Sequence, residues 1–329
     1  MTLVTLLIMI ILFVFLIGIC IGSFLNVIVL RAFSNESIAF PGSKCPSCQK
    51  PLKWYHNIPI LSYLILKGKC AFCKDTISIQ YPIIELVTGI LFVAVFLKFG
   101  IGFNSIFTLI FVSLFVVLAA TDIKEKVVFD FHTYILVGAG LIYNLFNFGH
   151  LYMGDKVLHL GQFSLGINNS FIASILGVLL GIVVMEIFAR FGYLVAGTRA
   201  FGEGDTYIAA GLGAVLGWKY LITVLVYAFI IQIIVTIPVF IKKLYTNKDY
   251  KTLGSFFSFF LVVFAIKWLD YAAIPTNVFV FSLLTIILCA TGFYACKRIL
   301  GGLKEPSGMT YLPFGPAMVL GALIVIFLI

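Results

Sequence analysis

Long apolar stretches, set apart by short clusters of Lys, Arg, Gly and Pro, run through the chain from end to end. A bilayer core about 30 Å thick takes roughly 20 apolar helical residues per crossing, and the stretches approach that length repeatedly. They predict spans at Leu3 to Leu30, Ile83 to Leu97, Ile106 to Ala120, Thr133 to Phe148, Phe171 to Ala189, Tyr207 to Leu216, Tyr220 to Ile241, Phe256 to Leu269, Val278 to Cys296 and Phe314 to Ile329. Runs such as Ile106 to Ala120 do not alternate in polarity, which excludes the strands of a transmembrane barrel. Tyr207 to Leu216 is too short to cross alone before Gly217 and is expected to extend, tilt or re-enter. The predicted fold is all-α: a polytopic membrane helix bundle of eight to ten spans.

Composition agrees, since 62% of the 329 residues are hydrophobic and only 11% charged, with a mean hydropathy of +1.16. A soluble chain could not keep a wet surface with so little charge. Basic residues then orient the bundle, because cytoplasmic loops retain Lys and Arg. Alternating the spans gathers Arg31 to Gln80, Asp122 to Phe131, Arg190 to Asp205, Lys242 to Lys251 and Lys297 to Tyr311 on one side, with 18 of the 22 basic residues. The opposite side holds only Lys98, Lys156, Lys219 and Lys267, and its segment Gly161 to Ser170 reads as an ordinary outer loop. The first set is therefore expected in the cytoplasm and the N-terminus outside. The net charge of +9 reads as basic loops facing anionic lipid, and nucleic acid is not implied.

The first apolar run carries no basic n-region and exceeds a signal-peptide core in length, so it is expected to remain as an anchor. Three regions follow: a first anchor over 1–30, a cytoplasmic cysteine region over 31–80, and a multispan region over 81–329.

Within the cysteine region, Cys45-Pro-Ser-Cys48 and Cys70-Ala-Phe-Cys73 form two CxxC hooks. Each hook bends so that both thiolates face one ion, and four sulfurs suit tetrahedral Zn²⁺. A segment this small has little core, so a structural metal would supply much of its folding energy. Disulfides and free redox thiols are the competing readings, the former disfavoured on the reducing side of a membrane. His56 lies between the hooks and is not counted as a ligand; Cys20, Cys289 and Cys296 fall in spans and read as small packing residues.

Acids bordering spans are costly and ask for a reason. Glu85, Asp122, Asp130, Glu186, Glu203 and Asp205 are of this kind. Asp122 ends a span, where the negative end of the helix dipole disfavours its anion. Asp205 closes Gly202-Glu203-Gly204-Asp205 ahead of an apolar helical run, where the dipole favours its anion; a plain N-cap is the bland alternative. Paired, they could hydrolyse a peptide, one carboxylate taking a proton from water and one carboxylic acid donating to the scissile carbonyl. The dipoles alone suggest Asp205 as base and Asp122 as acid. The rival reading is a proton-coupled transporter or channel with a structural zinc loop, in which a mid-membrane acid such as Glu186 relays protons.

Taken together, Gly22-Ser-Phe-Leu-Asn-Val27 with Arg31, the cysteine loop running into Glu85-Leu-Val-Thr-Gly89, Ala120-Thr-Asp-Ile123, Gly202-Glu-Gly-Asp205 and Pro313-Phe-Gly-Pro316 resemble the bacterial type IV prepilin peptidases, membrane aspartic proteases of the GxGD class. The resemblance implies cleavage of prepilin and pseudopilin precursors after a leader glycine at the cytoplasmic face of the bacterial inner membrane. It also implies S-adenosylmethionine-dependent N-methylation of the new N-terminal residue. It carries the catalytic roles to Asp122 and Asp205, supporting roles to Gly202, Glu203, Gly204, Asp130 and Glu85, and the zinc site to Cys45, Cys48, Cys70 and Cys73. Two departures stand out. Phe129 precedes Asp130 where the family usually has proline, and the stretch 242–304 is longer than expected, as if a helix pair had been added.

Overall fold

The computed structural model describes residues 3–34, 37, 40, 42–150, 170–196, 201–246, 248, 250–271, 278–301 and 313–328. Among the described residues ten α-helices follow in order: α1 (Leu3–Ser34), α2 (Leu61–Ile65), α3 (Gln80–Phe99), α4 (Phe103–Glu125), α5 (Asp130–His150), α6 (Ser170–Ala196), α7 (Glu203–Thr246), α8 (Tyr250–Tyr271), α9 (Val278–Gly301) and α10 (Gly315–Leu328). Among the described residues there is no sheet, only two isolated bridges in the cysteine region. The predicted outer loop 161–169, the side chain of Cys296 and residues 302–311 of the last predicted connection lie outside the described residues.

Nearly every predicted span is a helix, and the helices overrun the apolar runs by a few residues at their polar ends. Five described segments are long and apolar enough to cross a membrane: Val4–Ser34, Gln80–Phe99, Phe103–Glu125, Ser170–Phe191 and Glu203–Thr246. Tyr250–Phe264, Thr285–Tyr294 and Gly315–Leu328 are apolar but shorter. Large side chains such as Phe13, Leu16, Phe24, Ile233 and Ile234 stand exposed along these helices. In water that would be an aggregating surface; against lipid it is the expected one.

Helix α4 is the axis of the packing. One of its faces puts Phe111, Phe115 and Leu118 into a core with Leu136 of α5, Met185 of α6, Ile208 and Leu212 of α7, and Met318 of α10. Another puts Val116, Val117 and Ala120 against Leu25 and Val29 of α1 and Ile84 of α3. The two cores meet at the end of α4 that carries Asp122. Lipid tails give helices little hydrophobic reason to associate, so close contact has to come from small residues. Gly177 of α6 and Gly213 of α7 show this, since a Cβ on either would strike the backbone of the other.

The short predicted span Tyr207 to Leu216 proves to be the first arm of α7, which breaks at Gly217 (φ 76°, ψ 166°). That left-handed conformation suits glycine and ends one helical run while starting the next. Residues 208–217 are all buried. The arm is thus enclosed by protein, as a broken helix at membrane depth must be.

The expectation that Cys20 and Cys289 fill interior gaps is corrected: both are exposed on their helices. An apolar thiol facing lipid is as well accommodated there as in a core.

Candidate active site

Asp122 lies in the last turn of α4, and the turn closes with Lys126 in the left-handed region (φ 57°), whose N–H donates to the Asp122 carbonyl at 2.9 Å. The chain then runs through Val128 and Phe129 into α5, which Asp130 opens. Asp205 lies in the first turn of α7. Its Oδ2 accepts the N–H of Gly202 at 3.1 Å, the reach from the third helical residue back to the cap that forms half of a capping box. The capping alternative thus takes this form, with Asp205 serving the helix start from the third helical position.

Three contacts bring the two aspartates to one end of the bundle. Gly204 packs so tightly on the α4–α5 connection that a Cβ there would come within 2.7 Å of Val128 Cβ. The N–H of Gly315, at the start of α10, donates to Asp122 Oδ2 at 3.0 Å. A Cβ on Gly315 would collide with that carboxylate and lie 2.8 Å from Ile208 Cδ1, one turn along α7 from Asp205. Phe314 packs edge-on against Phe201 at 5.0 Å and tilted against Phe229 at 5.1 Å, fixing the entry to α10 against the residues just before Gly202. Asp122 and Asp205 are each only 4% exposed.

Two helix N-termini bear on the pair. Asp122 ends α4 but faces the N-terminal end of α10, whose dipole and N–H groups favour an anion. Asp205 receives the same kind of support at the start of α7.

The supporting residues separate. Gly202, Glu203 and Gly204 lie beside Asp205, with Glu203 exposed; Asp130 is exposed at the start of α5. Glu85 is 7% exposed in α3 and accepts the N–H of Ile60 at 2.7 Å, which ties it to the cysteine region. Sequence reasoning did not single out Gly315 as a site residue, although a Pro-Phe-Gly-Pro start on an apolar helix was the signal. It also passed over His132 and Thr206, each buried with one side-chain atom, Nδ1 and Oγ1 respectively, lacking a hydrogen-bond partner among the described residues.

The two cysteine hooks share one construction. Cys45 N–H donates to Lys50 O at 3.0 Å and Cys70 N–H to Asp75 O at 2.8 Å, while Gln49 and Lys74 each turn the chain with positive φ. A bridge closes each hook, Lys44 with Pro51 and Lys69 with Thr76. Ser47 donates to the Asp75 carboxylate and so ties one hook to the other. The sulfurs of Cys45, Cys48, Cys70 and Cys73 all lie within 4.8 Å of one another, with Cys45 Sγ 3.8 Å from Cys73 Sγ. Four sulfurs at 2.3 Å around a tetrahedral ion stand about 3.8 Å apart, so the spacing fits a single metal. Backbone N–H groups of Cys73 and Phe72 hold the Cys70 thiol down at about 6. The N–H of Asp75 pulls Cys73 down, but desolvation and the neighbouring thiols outweigh it and push that thiol up to about 12. A cation would relieve that repulsion.

An all-helical integral membrane protein with two enclosed aspartates at one end and a four-thiol centre is the class these features define. Residues 16–99 match the bacterial peptidase A24 N-terminal domain and residues 109–237 the type IV leader peptidase family. The chain is 36% identical over 216 residues to the prepilin leader peptidase/N-methyltransferase of Myxococcus xanthus, covering 66% of this chain and 59% of that one. It is 34% identical over 215 residues to the protein of the same name from Klebsiella pneumoniae, covering 64% and 86%, and 29% identical over 253 residues to that of Neisseria gonorrhoeae, covering 69% and 81%. No solved structure matches the chain. The chain belongs to the prepilin leader peptidase/N-methyltransferase family. Neither family match extends into 242–304.

Proposed function

We propose that the protein cleaves the leader peptide from prepilins and pseudopilins at the cytoplasmic face of the inner membrane and then N-methylates the new N-terminal residue. The observation that supports the peptidase half is the burial of Asp122 and Asp205 at one end of the bundle, where Gly315 bonds Asp122 and lies against Ile208, one turn along α7 from Asp205. With one carboxylate ionised and one protonated, the anion takes a proton from a water and the acid donates to the scissile carbonyl oxygen. As the tetrahedral diol collapses, the proton taken from water passes to the departing amine and a diol hydroxyl returns its proton to the other carboxylate, which resets the pair. A close pair shares its protons, so the roles belong to the dyad.

The basic loops support a cytoplasmic placement. A precursor with its leader in the cytoplasm and its stem in the bilayer then presents the scissile bond at the depth where both aspartates lie. Cys45, Cys48, Cys70 and Cys73 would hold a structural zinc, which fixes the fold of the loop. S-adenosylmethionine would supply the methyl group. Residues 242–304, with α8 and α9, are an addition to the common peptidase body. The transporter reading finds no support, since Glu186 pairs with Arg190 at 3.0 Å within α6, at 36% side-chain exposure. Incubating the purified protein with a prepilin and the methyl donor, and reading the product masses for leader loss and one added methyl, tests both halves; an uncut precursor would refute the first and an unmethylated product the second.

A further inference from the structure

Leu61, Leu64 and Ile65, spaced i, i+3 and i+4, share one face of the short helix α2 and stand exposed, Ile65 by 74%. Just ahead of them in the chain Trp54, 80% exposed, Tyr55 and Ile58 are exposed as well. So many large apolar side chains on one short stretch would be costly in water and mark a surface that something covers.

The stretch does not stand off from the membrane. The N–H of Ile60, at the start of α2, donates to Glu85 Oε2 at 2.7 Å, and Glu85 lies in the second turn of α3, packed on Gly22 of α1. Just past the other end of α2, Gly68 O accepts the N–H of Ile77 at 2.7 Å, which fastens the turn to the chain entering α3. Both ends are thus held beside the level where the apolar run of α3 begins. Ile60 keeps φ 60°, ψ −51° there, a strained conformation for a β-branched residue, of the kind that persists only where surroundings enforce it. Ile79 and Ile83 are exposed at the entry to α3, so the lipid-facing surface of that helix reaches the same level.

Charge in this region is of one sign. From Ser37 to Lys74 the chain carries six lysines, Lys44, Lys50, Lys53, Lys67, Lys69 and Lys74, and no Asp or Glu. Lys53 and Lys67 bracket the apolar stretch, and both are exposed. Trp and Tyr beside an apolar face, with Lys at its borders, is the pattern of a segment lying in a bilayer interface.

We propose that 54–65 is an interfacial anchor that seats the cysteine region in the adjoining leaflet and takes anionic phospholipid. Ile58, Leu61, Leu64 and Ile65 enter the acyl boundary, Trp54 and Tyr55 lie among the headgroups, and Lys53 and Lys67 meet the phosphates. A soluble partner would need this face turned away from the bilayer, and the bonds to Glu85 and from Ile77 hold it down. The two cysteine hooks flank the stretch in sequence, so the anchor sets the height of the four-thiol centre above the membrane. The inference needs only that α1 and α3 cross a bilayer, and is independent of the proposed chemistry.

The test uses the wild-type chain in nanodiscs of phosphatidylcholine and phosphatidylglycerol, one or the other carrying a photoactivatable acyl chain. Peptide mapping should find label on 54–65 as well as on α1 and α3, several-fold more from phosphatidylglycerol than from an equal fraction of phosphatidylcholine. Label on α1 and α3 with none on 54–65 overturns the anchor, and equal label from both lipids overturns the choice of anionic lipid. Lys53→Gln combined with Lys67→Gln should bring the two lipids to within about twofold of each other; an undiminished preference overturns the role of these lysines. Trp218→Phe with Trp268→Phe leaves Trp54 as the only tryptophan. Its emission should then be quenched by brominated acyl chains and protected from acrylamide, and the reverse pattern also overturns the proposal.

Discussion

The N–H of Gly315 donates to Asp122 Oδ2 at 3.0 Å, joining the start of the last helix to the end of α4 across 193 positions of chain. Any side chain at 315 would occupy the space that the carboxylate and Ile208 Cδ1 already fill. Gly315→Ala should therefore displace Asp122 and lower leader cleavage by roughly a hundredfold, the scale on which a misplaced reacting group costs rate. Cleavage kinetics on a prepilin in detergent or nanodiscs measure it, and a rate within twofold of wild type would mean the contact is dispensable.

Asp122→Asn and Asp205→Asn each remove one half of a proton-sharing pair. Each should lower cleavage by at least about a thousandfold, with expression and helix content kept, and the double variant should be hardly worse than either alone. Substantial processing by a single variant would refute the two-acid scheme.

Cys45→Ser takes one sulfur from a centre whose members lie within 4.8 Å of one another. Elemental analysis should show the metal lost or greatly weakened, and methyl transfer should fall before leader cleavage does. Equal metal content in variant and wild type would dispose of the four-thiol site.

Ionisation in the metal-free cysteine region gives a pH prediction. Thiolate is the reactive species. With Cys70 at about 6 and Cys73 at about 12, alkylation of Cys70 should level off just above neutral pH while that of Cys73 still rises at pH 9. For stability the signs are opposite. The lowered Cys70 value stabilises the loop fully above the ordinary thiol range and loses that contribution as pH falls toward 6. The raised Cys73 value withdraws stability as pH climbs above 9. Mass mapping after brief iodoacetamide treatment follows both thiols; parallel profiles would contradict the assignment.

Much of this architecture was legible in the sequence because lipid imposes a simple code. An apolar run of sufficient length has to be a helix, since no water is there to satisfy the backbone, and Ile106 to Ala120 lies well inside α4 for that reason. Two CxxC hooks likewise announce their convergence, because the spacing itself turns the chain. The Gly217 break was half visible, as a run too short to cross ahead of a glycine. Contacts made by backbone atoms were not visible. Gly315 reaches Asp122 through an N–H that every non-proline residue has, and Ile60 reaches Glu85 the same way; composition gives no sign of which amide will point where. The burial of His132 and Thr206 follows from how α5 and α7 face their neighbours, which only packing decides.

As an unbroken rod, the 44 residues of α7 would measure about 66 Å, twice the hydrocarbon thickness, and any tilt of its far end would swing Asp205 through a wide arc. The joint at Gly217 uncouples the two lengths. Residues 208–217 of the inner arm, about 21 Å long, are buried in protein, while the far part of the outer one, beyond Phe229, turns Ile233 and Ile234 to lipid and can lean with the bilayer. Membranes of different thickness can then be tolerated without the proton-carrying group leaving its register.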